Sequence, residues 1–119
     1  MSMIRTTLIA TAIVVMPSLA SAQDDVMAAR YGNTTLTHTD RGHELHTYYK
    51  ADHTFTGKIV DVGLDVKGTW AVNGGTLCLT YTPALPLVSN PVCQPVVAHK
   101  IGDTWTAGKN NSTLVQGIK

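Results

Sequence analysis

From Gly32 onward, turn-forming residues interrupt this chain about every ten positions, and the runs between them are rich in Thr, Val, Tyr and Trp. Asp40-Arg41-Gly42, Ala51-Asp52-His53, Asn73-Gly74-Gly75, Gly102-Asp103 and residues 108–112 are the interruptions. Segments this short leave little room for helices, whereas β-branched and aromatic side chains fit a pleated, half-buried surface. Strands are expected at 33–39, 43–50, from Thr54-Phe55-Thr56, 76–82, 96–100, 104–107 and 113–118. From Val60 the alternation is strict: Val60, Val62, Leu64, Val66 and Trp70 share one parity and Asp61, Asp65, Lys67 and Thr69 the other. That period of two predicts one half-buried strand, or two joined near Gly63. Asn73-Gly74-Gly75 tolerates the positive φ of a tight hairpin. Ahead of the strands, DDVMAARY at 24–31 reads as a short helix, capped by Asp24 or Asp25 and stopped by Gly32. The expected fold class is all-β: a small antiparallel up-and-down barrel or compact sandwich with a short N-terminal helix.

The beginning of the chain has a different character. Arg5 supplies a positive charge, Leu8 to Met16 form an apolar run relieved by Thr11, and Pro17-Ser18 break it. Ala20-Ser21-Ala22 then offers a small-x-small cleavage site. This is the order of a secretory signal, and the apolar run is far short of the ~20 residues that span a bilayer. Two segments follow: a signal peptide over 1–22 and a single β-rich domain over 23–119. No cysteine follows the cleavage point, so a lipid-anchored form is not expected. Without Arg5, eight Lys and Arg balance eight Asp and Glu. A neutral domain with no basic run has no electrostatic footprint for nucleic acid or anionic lipid.

Export places Cys78 and Cys93 in an oxidising compartment, periplasmic or extracellular, where an even count favours one disulfide. Closing that loop stabilises a small domain by about 3 kcal/mol in the chain-entropy model. Redox and metal pairs use closer spacings such as C-x-x-C, which these two cysteines lack.

Four stretches bear a resemblance to one family: YGNT at 31–34, YYKADHTFTG at 48–57, GTWAVNGGTLC at 68–78, and Cys93 ahead of VVAHKIGDTW at 96–105. They resemble small exported proteins of proteobacteria whose pattern runs GNT, DGT, GxW, LC and a lone downstream Cys. The resemblance covers nearly the whole exported chain. It implies a secreted or periplasmic lipocalin-like β-fold with one disulfide, and it carries no activity. One departure stands out: the glycine of the DGT turn is His53 here.

Chemistry leaves few traces, and no catalytic residue and no cofactor is expected. Glu44 is the only glutamate, so a Glu–Glu acid/base pair cannot form. Asp61 and Asp65 on one strand face stand ~13 Å apart, too far for paired-carboxylate catalysis. Ser89, His99 and Asp103 can be written as a triad, but nothing around Ser89 resembles a nucleophile turn.

Two candidate sites remain. His38, His43, His46 and His53 crowd into sixteen residues. If Gly42 takes the left-handed position of the β-turn, Thr39 pairs with His43. His38 then faces Glu44, Leu36 faces His46, and His38, Glu44 and His46 form a metal-capable set. If Asp40 pairs with His43 instead, the set scatters over both faces. The second candidate is the proline-rich connection 83–95, which the disulfide would pin and which is expected as loop or edge strand. Its Leu85, Leu87 and Val88 either fold back as a lid on an open barrel end or form a pre-organised interaction surface. The functional expectation is a monomeric, non-enzymatic binding module for an unknown small ligand or protein partner. The alternative is an interaction or protease-inhibitor-like module acting through 83–95. An apolar internal cavity marks the first, a solid core with a protruding loop the second.

Overall fold

The computed structural model describes residues 25–119; the expected secretory signal and its cleavage site lie outside the described residues. Eight strands follow a short 3-10 helix (Asp25–Arg30): β1 Thr34–His38, β2 Glu44–Tyr49, β3 Thr54–Ile59, β4 Leu64–Asn73, β5 Thr76–Tyr81, β6 Val92–Pro95, β7 Thr104–Ala107 and β8 Asn110–Val115. All belong to one sheet in the order β6-β5-β4-β3-β2-β1-β8-β7. Every pairing is antiparallel, and β8 returns to pair with β1. The meander thus curls into an up-and-down barrel, closed except for a seam between β6 and β7. The expected all-β class, the short helix and the disulfide are all present, and of the two architectures the barrel is the one formed.

The glycine turns read from the sequence are formed. Gly74 and Gly75 both have positive φ (56° and 78°), and Asn73 pairs with Thr76 across them. At the first hairpin Gly42 has φ 83°, Thr39 N–H donates to His43 O, and His38 faces Glu44. The register that sets Thr39 against His43 is therefore the one formed, and not the one that pairs Asp40 with His43.

Of the two readings of the alternating run, two strands joined near Gly63 is the one formed: residues 60–63 make a turn between β3 and β4, with Gly63 at φ 64°. Val60, Val62 and Leu64 are exposed in consequence, and only from Val66 does that parity point inward. Two expectations need correction. The anticipated strand at 96–100 is irregular. Its place in the sheet is taken by β6, which lies earlier because Cys93 sits directly opposite Cys78. The last strand begins at Asn110, since Gly108 (φ 61°) allows a two-residue turn where a longer separator had been expected.

Met27 of the helix packs with Tyr49, Phe55, Trp70, Val72, Leu77, Leu79 and Val96 in the main apolar cluster. Phe55, Met27 and Leu77 are among its most completely buried members, and each contributes about 1.5–3 kcal/mol by leaving water. The inward positions of β3, β4 and β5 are thus apolar. Those of β1, β2 and β8 carry Thr35, Thr47 and Ser112, which are buried hydroxyls. The barrel interior is apolar on one side and polar on the other.

Candidate functional site

Cys78 and Cys93 form the expected disulfide, with Cα atoms 4.1 Å apart. It links β5 to the edge strand β6 and closes the base of the loop at 82–91. Asn90 tightens that base: its Oδ1 accepts from Tyr81 N–H at 2.9 Å and its Nδ2 donates to Tyr81 O at 3.2 Å. The two ends of the loop are therefore held by a covalent bond and by two hydrogen bonds.

The three apolar residues of the loop separate. Leu85 is half-buried and turns back onto the barrel, while Leu87 and Val88 are exposed. Leu87 is fully exposed and adopts φ 60°, a left-handed conformation that L residues with branched bulk rarely occupy. The anticipated lid is thus partial. Where Leu85 turns back, the loop and the β3–β4 hairpin enclose a predominantly apolar groove of about 550 Å³, with Tyr48, Thr56, Lys58, Val66, Pro83 and Leu85 on its walls.

The interior is different. Its cavity measures about 90 Å³ and is lined by polar and apolar groups in nearly equal measure, the polar ones including Arg30, Thr35, Thr47, Tyr49, Gln94 and Ser112. Arg30 ends the helix and enters the barrel almost completely buried. Its guanidinium lies 5.1 Å from the Trp105 ring centre and 5.7 Å from that of Tyr49. Burial drives its pKa below the ordinary value, against the pull of Tyr49. Burial also pushes the Tyr49 phenol up to about 12, so it stays protonated. The His99 ring stacks on Trp105, with ring centroids 3.7 Å apart. Burial and then the Arg30 charge lower the pKa of His99.

The histidines do not gather into one centre. His38 faces Glu44 across the hairpin, and His46 Nε2 stands 3.7 Å from Glu44 Oε2. The other His46 nitrogen, Nδ1, is 3.1 Å from Lys119 O, which also accepts from the Tyr48 hydroxyl. His43 is drawn to Asp61 at 2.7 Å, and His53 lies flat on Trp70. Among the described residues no group of three or more His, Cys, Asp or Glu is arranged to hold a metal ion. Of the residues written as a triad, His99 and Asp103 pair at 3.5 Å, and Ser89 belongs to the exposed part of the loop.

Sequence reasoning missed Arg30 and Trp105. An arginine at the end of a short helix reads as a solvated C-terminal charge. Only the curl of the sheet turns it inward. The one local signal was the repeated Thr at inward parity in β1 and β2, which an apolar core does not require. Among the described residues no helix is long and apolar enough to cross a membrane. Comparison of the chain with known protein families, curated proteins and solved structures finds no match.

Proposed function

We propose that this chain is an exported, non-enzymatic binding module that engages a protein partner through the disulfide-pinned segment 83–95. The observation that carries this reading is Leu87, a large apolar side chain held fully in solvent at the tip of a loop clamped at its base. A clamped loop loses little conformational entropy when it docks, so more of its contact energy remains as affinity. The interior argues in the same direction. Small-ligand pockets usually measure about 300–1,000 Å³, and the internal cavity of about 90 Å³ is too small for a lipocalin-type cargo.

A photo-crosslinking residue in place of Leu87 tests this reading in the exported protein. A discrete protein adduct is expected at position 87, weakened by reduction of Cys78–Cys93 and absent when the probe replaces Asn73 at the opposite end of the barrel. Equal labelling at both positions, or none at 87, would refute the loop as the binding element.

The groove behind Leu85 supports a second reading, in which a small apolar ligand occupies the outer pocket of about 550 Å³. A solvatochromic apolar dye distinguishes the two. Binding that Leu85→Asp abolishes and Leu87→Asp leaves intact favours the groove; the reverse pattern favours the tip.

A further inference from the structure

The barrel interior holds a positive charge with no opposite charge paired to it among the described residues. Arg30 is 2% exposed, and none of the ion pairs among the described residues includes it. Its Nε has no hydrogen-bond partner, and neither has the buried Thr35 Oγ1. Arginine keeps its proton under all ordinary conditions, so burial cannot relieve the charge by neutralising it. The flanking faces of Tyr49 and Trp105 offset part of the desolvation cost through cation–π attraction. The rest calls for an anion.

The cavity that Arg30 lines has the chemistry to receive one. No Asp or Glu is among its described lining residues, and Thr35, Thr47, Tyr49, Gln94 and Ser112 all carry a donor. Thr37 and Ser112 already share a hydrogen bond at 2.9 Å; the Thr35 hydroxyl is not so engaged. A volume of about 90 Å³ holds a few water molecules. That admits an ion of about one to four heavy atoms and excludes nucleotides, sugars and fatty acids.

We propose that the polar half of the barrel interior binds a small monovalent anion, a halide or a formate- or acetate-sized carboxylate, with Arg30 as its charge partner and the Thr35 hydroxyl as a donor. Guanidinium N–H groups donate more strongly to an anion than to a neutral acceptor. The site lies inside the barrel and is independent of the outer loop, so each proposal stands or falls without the other.

The test is thermal unfolding of the exported protein at constant ionic strength in sodium gluconate, whose anion is too large for the cavity. Chloride, formate, acetate and benzoate replace it in separate titrations. The expected result is a saturable rise in Tm with one or more of the three small anions and none with benzoate; which of them acts separates a halide site from a carboxylate site. Arg30→Met abolishes the saturable rise, and Thr35→Val shifts its midpoint to about tenfold higher anion concentration. Should Arg30→Met fail to fold, the Thr35→Val shift alone decides. A wild-type Tm indifferent to small anions, an equal response to benzoate, or an unshifted midpoint in Thr35→Val overturns the site.

Discussion

His53 lies flat on Trp70, with ring centroids 4.2 Å apart and planes within 9°. The same two residues are joined through the backbone, Trp70 N–H donating to His53 O at 2.8 Å, and Trp70 Nε1 donates to Lys50 O at 2.9 Å. The β2–β3 turn is thereby fastened to the most deeply buried aromatic of β4. His53 holds φ 70°, where glycine is the unstrained choice. A left-handed non-glycine residue costs about 1 kcal/mol, and an aromatic stack returns a similar amount. His53→Gly should therefore leave stability within about 0.5 kcal/mol of the parent. His53→Ala, which keeps the strain and loses the stack, should cost about 1 kcal/mol. Urea unfolding of the two variants checks this, and a glycine variant less stable than the alanine one contradicts it.

Gly68 is required for a different reason. A Cβ built there would stand 1.8 Å from Thr80 O and 3.0 Å from the Phe55 ring. The obstacle is mainly backbone of the neighbouring strand and cannot rotate away. Gly68→Ala should cost about 3 kcal/mol or prevent folding. Circular dichroism melts suffice as the readout, and a loss under about 1 kcal/mol would show that β5 yields.

Reduction of Cys78–Cys93 should lower unfolding stability by about 2–4 kcal/mol. The damage should be local first: β6 is an edge strand held only to β5, so its amides should exchange with deuterium ahead of those of β4. Uniform acceleration across the barrel is the contrary result.

Stability should fall in two stages as pH drops. His99 is depressed below its ordinary 6.5, by burial first and Arg30 second. The folded state favours its neutral form, so this contribution is complete above pH 6.5 and declines as pH falls toward the lower folded value. Asp61 and Asp103 are depressed below 3.8, chiefly by the His43 hydrogen bond and by Lys100 N–H respectively. Their contribution is present above 3.8 and is lost as pH falls through the lower folded values. Denaturation midpoints should show the upper stage vanish in His99→Gln and the lower one shrink in Asp61→Asn and Asp103→Asn. An unchanged upper stage in His99→Gln would assign it to another group.

Local chemistry was legible wherever it acts over a few residues. The Asn73-Gly74-Gly75 hairpin, a turn at Gly42, the all-β class and the Cys78–Cys93 bond follow from φ preferences, periodicity and cysteine count, whereas the choice between the two registers at Gly42 does not. The alternation from Val60 to Trp70 misled in part, because parity says nothing about where a strand ends. Gly63 breaks the run, and Val60 and Val62 stay in solvent.

Residue chemistry alone thus settled the hairpin at Asn73-Gly74-Gly75 and the inward face of β4 from Val66 onward. Closure belonged to the tertiary structure. Whether β8 returns to β1 depends on twist and curl summed over the whole sheet, and no window of residues records that sum. Closure is what turns Arg30 from a surface charge at a helix end into a cation enclosed beside Trp105 and Tyr49. It also turns the alternating threonines of β1 and β2 from an unremarked surface into the polar wall of a cavity. The loop divided in the same way: its prolines and cysteines announced a constrained segment. That Leu85 turns in while Leu87 stands out was decided by the geometry of β5, β6 and the Asn90–Tyr81 clamp, groups brought together only when the strands are already paired.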